Sequence, residues 1–248
     1  MAPKHQSVKP NALKVPGLVK LSGKRVVLAS ASPRRKEILK TFGFEPEIVP
    51  STFDETLPQG SFEDVHEYPV ATASHKAVEV WDQLLLKAED PDDPPDLVIG
   101  ADTVVLTHVE PSHSGIDYSL LPQERPEILE KPISKADNLR MLLDLNGGLI
   151  SDGCCTVYPI LTAPGYQIKS IDERSLVYFT DNPTYLLEAY ADSGEGVDRA
   201  GGFAVQGLGG MLIRKIDGDY NNVVGFPAAS FFKFLDLLVD EEEDFLEI

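Results

Sequence analysis

The sequence is poor in cysteine: Cys154 and Cys155 are its only two, and they are adjacent. Neighbouring thiols cannot staple distant segments, so a disulfide framework is excluded and the reduced thiols of a cytoplasmic protein are expected. Basic residues are also scarce, 22 Lys and Arg against 40 Asp and Glu, a formal net charge of -18. Sequence-independent nucleic-acid binding depends on cations that neutralise phosphates, so this balance argues against nucleic acid as a partner. It argues equally against a basic membrane-surface protein. No stretch approaches the roughly 20 apolar residues of a spanning helix. The first residues lack the apolar core of a secretory signal. They use Lys rather than Arg and carry Pro3, Pro10 and Pro16, which does not suit a transit peptide. Several chemical signatures are missing: the Gly-Lys-Ser/Thr phosphate loop, Gly-x-Gly-x-x-Gly after a strand, the Gly-x-Ser-x-Gly elbow and His-Glu-x-x-His. The five histidines, at 5, 66, 75, 108 and 113, keep no metal-ligand spacing.

What is present is a chain of 248 residues, 42% hydrophobic and 25% charged, the composition of one large globular domain or two small ones. Its charge is uneven. Residues 1–36 hold nine basic residues and no acid, leaving 13 basic against 40 acidic residues in the rest. Acid gathers in "EDPDDPPD" at 89–96, which reads as a solvated loop because its prolines block a helix. A second cluster, "DLLVDEEEDFLEI", reads as a helix end running into an acidic tail over 241–248. Residues 1–23 read as a basic, flexible arm, and 24–240 as the domain proper.

The apolar run at 24–29 predicts a buried strand, followed by a helix over 33–42 with Ser32 as N-cap, Pro33 in its first turn and Gly43 as its stop. Further strands are predicted at 45–49 and 96–107, the latter interrupted at Gly100-Ala101-Asp102, then at 153–162, 168–180 and 211–216. Helices are predicted at 69–87, at 134–145 with Leu139, Leu142 and Leu143 inward, at 183–190 and at 227–238. Residues 108–128 are polar and without period, an insertion over the surface. Mixed strands and helices that do not strictly alternate predict α/β with a mixed sheet.

Five local features could carry chemistry. "SASPRR" (Ser30–Arg35) turns from a strand into a helix N-terminus, where backbone N–H groups and forked Arg donors suit an anion. It could equally be a surface helix start with solvated arginines. Asp102 lies within the apolar "VIGADTVVL", where a carboxylate must be paired, hydrogen-bonded or used. "EKP" (Glu130–Pro132) precedes a helix, its lysine either facing a phosphate or solvated. "DRAGGFAVQGLGG" (Asp198–Gly210) carries five glycines around a polar pair, which suggests backbone drawn close to a ligand. "GDYNNVVGFP" (Gly218–Pro227) reads as a turn, a short apolar strand and a proline-started helix, with or without a role beyond structure.

In this order, from Arg25 to about Leu238, the five features resemble the Maf family of nucleoside triphosphate pyrophosphatases. The resemblance implies an α/β mixed sheet with flanking helices and a central cleft, similar to the inosine triphosphate pyrophosphatases. It implies hydrolysis of dTTP and UTP to monophosphate and pyrophosphate, because Arg34, Thr103 and Gln206 match the subgroup acting on those substrates. It implies Asp102 as proton acceptor, and Ser32, Arg35, Lys76, Lys131 and Arg199 at the phosphates. Asp54, Glu55 and Asp102 would serve a divalent cation, Mg2+ or Mn2+, in what is usually a homodimer. A purine or 7-methyl-GTP pyrophosphatase, and a non-catalytic nucleotide-binding regulator of division, are the alternatives. The chain departs from the family pattern in Ser74 where Arg is frequent, Arg199 where Lys is usual, "GEGVDRAG", "GLISDGCCTV" and the 108–128 insertion. An acidic chain acting on an anionic triphosphate needs its cations focused at one small site, with activity helped by moderate salt and Mg2+.

Overall fold

The computed structural model describes residues 5–86, 93–108, 127–145 and 165–241, residues 245–246, and the backbone of 149–161. The chain forms two compact units. One comprises Met1–Asp102, Cys154–Glu173 and Gly225–Ile248, and the other Thr103–Gly153 and Arg174–Val224.

The fold is α/β with a mixed sheet. In chain order its strands are β1 (Val26–Ala29), β2 (Glu47–Ile48), β3 (Leu97–His108), β4 (Ile128–Leu129), β5 (Leu149–Leu161), β6 (Tyr166–Phe179) and β7 (Ile213–Asp217). Its helices are α1 (Pro16–Lys20), α2 (Pro33–Thr41), α3 (Glu67–Leu86), α4 (Lys135–Leu145), α5 (Thr184–Ser193), α6 (Tyr220–Val224) and α7 (Ala228–Glu241). Strands hydrogen-bond in the order β2-β1-β3-β5-β6-β7, with β4 on β3. β1 is parallel to both β2 and β3, whereas the β3–β4 and β6–β7 pairs are antiparallel.

In the first unit all four residues of β1 are buried, as its unbroken apolar run requires of a strand covered on both faces. Val27, Ala29 and Val98 pack with Ala77, Val80 and Trp81 of α3. Gly100 is the point of closest approach: a Cβ there would collide with the Ala73 carbonyl of α3. The strand does not break at Gly100-Ala101-Asp102 as its small residues suggested. β3 runs on without interruption, and Gly100 serves the helix contact instead.

The N-terminal segment also takes part in this unit. Leu18 and Leu21 are buried, and Gly17 of α1 lies so near α7 that a Cβ would come 2.6 Å from that of Leu235. Asp236 accepts the Gly17 N–H at 2.7 Å. Part of the acidic 89–96 cluster meets the basic start of the chain. Asp93 bonds His5 at 2.9 Å, the Asp93 carbonyl accepts Arg25 at 2.6 Å, and Asp96 pairs with Lys24 at 3.3 Å. Residues 87–92, most of the 108–128 insertion, the side chains of Cys154 and Cys155 and most of the acidic tail lie outside the described residues.

The second unit has its own core. Val105, Leu129, Met141, Leu142, Leu145, Val177 and Leu187 are among the side chains that pack there, with Phe179 and Phe203 in edge-to-face contact at 5.2 Å. The inward face of α4 differs from expectation. Asn138, Met141, Leu142 and Leu145 are buried, and Leu143 is 48% exposed. Two strand expectations are also corrected. Residues 208–212 form a 3-10 turn ahead of β7, and the 220–224 stretch is the helix α6. Its β-branched valines suggested a strand, but Asp219 starts a helical turn by accepting the N–H of Asn221 on its side chain and that of Val223 on its carbonyl. Asn222 is then buried and donates to Ser175.

Candidate active site

Asp102 ends the first unit's share of β3, and its side chain is buried. Lys76, buried in the middle of α3, places its Nζ 2.7 Å from Asp102 Oδ1. Close helix–strand packing at Gly100 brings the two together across 26 residues of sequence. Glu55 reaches the same ammonium from the loop before α3, Oε1 to Nζ at 2.7 Å, with its side chain half exposed. Two carboxylates therefore converge on one cation. Burial pushes the Asp102 carboxyl above its ordinary value, while the Lys76 charge and hydrogen bond, and more weakly Arg35, act against that rise. The outcome is a carboxylate paired to a cation it shares with Glu55 and more basic than an exposed aspartate.

The turn from β1 into α2 supplies the donors. Ser32 is the N-cap residue of α2, but its hydroxyl makes no capping bond; its N–H is received by Ser30 Oγ at 3.2 Å. Arg35 is fixed on two sides, donating from Nη1 to Ser30 Oγ and from Nε to the Gly225 carbonyl, each at 2.9 Å. Arg34 lies beside it, half-buried at the start of the same helix. Asp54 is exposed, and its carbonyl accepts the N–H of Thr56. The first unit thus brings together Asp102, Lys76, Glu55 and, through its field on Asp102, Arg35. It does not bring Asp54 onto that cluster.

The second unit carries Thr103, Lys131, Arg199 and Gln206. Thr103 follows Asp102 directly in β3 and is half-buried. Lys131 and Gln206 are exposed. Arg199 donates from Nε to the Glu195 carbonyl at 3.0 Å, so part of its guanidinium is engaged within its own loop. The glycines around Gln206 meet protein rather than open space. A Cβ at Gly207 would collide with Glu195 Oε1, one at Gly209 would lie 2.7 Å from the Ala204 carbonyl, and one at Gly201 2.8 Å from Val105. Asn138 of α4 donates to the Gly202 carbonyl at 2.7 Å and holds the same glycine-rich segment from beneath. Sequence reasoning missed Glu195, Tyr190 and Asn138. Glu195 stood out only as an acid between Gly194 and Gly196, and Asn138 only as a polar residue on an apolar helix face.

A family model described as Maf-like protein matches residues 25–238. The chain belongs to the Maf family. Among its relatives in that family is a Homo sapiens protein named "Probable bifunctional dTTP/UTP pyrophosphatase/methyltransferase protein", 41% identical over 226 residues. That alignment covers 89% of this chain and 33% of the human one, so the chain spans a third of that relative's length. A dTTP/UTP pyrophosphatase of Schizosaccharomyces pombe is 34% identical over 229 residues, 89% of this chain and 86% of its own. The dTTP/UTP pyrophosphatase of Thermococcus kodakarensis is 36% identical over 217 residues, 87% and 97% of the two chains. No helix among the described residues is long and apolar enough to cross a membrane.

Proposed function

We infer that this Maf-family chain hydrolyses the pyrimidine nucleoside triphosphates dTTP and UTP to the monophosphate and pyrophosphate. The observation that carries the reading is the buried Asp102–Lys76 pair with Glu55 against it, in a chain whose relatives bear that activity in their names over most of their own length.

Asp102 takes a proton from the attacking water. Its burial favours that role, because a general base works best when its proton affinity approaches the working pH. Lys76 keeps the carboxylate charged until then and directs an ammonium towards the phosphates. Arg34, Arg35, Ser32, Lys131 and Arg199 bind phosphate oxygens and stabilise charge in the transition state. Arg35 suits this because Ser30 and Gly225 fix its guanidinium in advance. Thr103 and Gln206 read the base or hold the sugar.

Among the described residues no three His, Cys, Asp or Glu side chains form a ready metal cage. Two converging carboxylates nevertheless fit Mg2+, which keeps several waters and takes one or two carboxylates together with substrate phosphates. Glu55 and Asp102, with Asp54 next to Glu55 in sequence, would hold it, and Mn2+ would be accepted in its place. Once bound, it supplies positive charge that neutralises the triphosphate. A homodimer in the cytoplasm completes the proposal.

Pyrophosphate release measured over a panel of nucleoside triphosphates with Mg2+ tests the reading. dTTP and UTP should exceed CTP, ATP, GTP and 7-methyl-GTP in kcat/KM. Preference for a guanine nucleotide, or no release from any, overturns it.

A further inference from the structure

Gln206 stands in a turn whose backbone is gripped before and after it by two side chains from α5 and the loop that follows. The Gly207 N–H closes the turn onto the Ala204 carbonyl at 3.1 Å, which places Gln206 at its third position. Upstream, the Tyr190 hydroxyl accepts the Ala204 N–H at 3.0 Å. Downstream, the two oxygens of Glu195 accept the N–H groups of Leu208 and Gly209, each at 3.1 Å. The Tyr190 hydroxyl and the Glu195 carboxylate also act on one another electrostatically, so the two grips are neighbours. Gly207 leaves room for it, since any side chain there would run into the Glu195 carboxylate. Arg199 fixes the other end of Glu195 through its carbonyl. All of these residues lie within the second unit.

We propose that Glu195, with Tyr190, is a positioning residue for nucleobase selection: its carboxylate sets the turn that aims Gln206, so discrimination between bases depends on a residue that touches no substrate. The inference deepens the function proposed above and rests on Gln206 reading the base. A carboxylate accepting two backbone N–H groups is well suited to the task. Charge-assisted bonds are stronger than neutral ones, and an acceptor held on two N–H groups confines the turn. Electrostatics keep it charged. Burial raises the Glu195 carboxyl, but the two N–H groups, the Tyr190 hydroxyl and Arg199 outweigh that and hold it below its ordinary value.

The test compares Glu195→Ala, Glu195→Gln and Gln206→Ala, alone and as the Glu195→Ala/Gln206→Ala double variant, with melting temperature recorded for each. The readout is the ratio of kcat/KM for UTP to that for CTP. Loss of a charge-assisted contact is worth about tenfold. The ratio should therefore fall about tenfold in Glu195→Ala. Glu195→Gln, which keeps one acceptor oxygen, should fall in between. In the double variant the ratio should drop no further than in Gln206→Ala. A purely structural Glu195 would lower the melting temperature and leave the ratio intact, which overturns the inference. Should Glu195→Ala fail to fold, Glu195→Gln decides, and an unchanged ratio there overturns it as well. An unchanged ratio in Gln206→Ala instead removes the base-reading role of Gln206 itself, and with it the inference. A fall in that variant beside unchanged Glu195 variants removes the inference alone.

Discussion

Asp102 and Glu195 are both carboxylates that the fold holds firmly, yet they are held in opposite ways. Asp102 is buried in a strand and faces an ammonium, and burial raises its proton affinity. Glu195 sits half-buried in a turn and faces backbone N–H groups, and its proton affinity is lowered. Desolvation wins in the first case and hydrogen bonding in the second. The first environment prepares a group to take a proton. The second prevents a group from doing so and makes it a permanent acceptor. On the function and the inference proposed above, one chain would use the same functional group as a base in one unit and as a clamp in the other.

The contrast breaks most sharply at Asp102. Asp102→Asn keeps an oxygen to accept from Lys76, and Glu55 still meets that ammonium, so the fold should persist. Turnover of dTTP should drop about 10²–10⁴-fold, the usual contribution of a general base. Steady-state kinetics with Mg2+, alongside a thermal unfolding curve, measures both. Near-wild-type turnover would remove Asp102 from the chemistry.

A smaller effect should come from Gly100, which sets the spacing that the Asp102–Lys76 contact needs. Gly100→Ala drives a methyl group into the Ala73 carbonyl and must push α3 away from β3. Overpacking of this kind costs about 1–3 kcal/mol. Lys76 moves with its helix, so turnover should fall as well, though by less than in Asp102→Asn. A variant with wild-type melting temperature and turnover would show that the tight approach is not what sets the pair.

Much of this was legible in the sequence, and the exceptions have a common cause. Proline-led helix starts marked α2 and α7, and apolar runs marked β1 and β3, because these signals are local. Asp102 announced itself as a charge where charge is costly. Its bond to Lys76 did not, since it depends on α3 packing at Gly100. The same holds for the face of α4, where Asn138 rather than Leu143 turns inward because the Gly202 carbonyl needs a donor. Glu195 was least legible. An acid among glycines resembles a solvated loop, and only the folded turn around Gln206 shows what it accepts. At three of the glycines singled out, Gly201, Gly207 and Gly209, a Cβ would meet a side chain, a carboxylate and a backbone carbonyl of the protein.

The smallest predicted effect follows from the sign of the Glu195 shift. Its folded proton affinity is lowered from the ordinary value of 4.5, so the unfolded chain takes up a proton first as pH falls. Its contribution to stability is therefore fully present above that ordinary value, and is lost as pH falls from there through the folded value. Tyr190, whose hydroxyl burial pushes up and away from this range, and Arg199 are the other titratable groups that act on it. Glu195→Gln removes the titration. Urea unfolding of wild type and variant should differ by a nearly constant amount between pH 6 and 7, about 1.5 units or more above the ordinary value, and the difference should shrink below about pH 4.5. A difference that instead grew on acidification would mean that burial, not the backbone N–H groups, governs Glu195. The two carboxylates would then be the same kind of group after all.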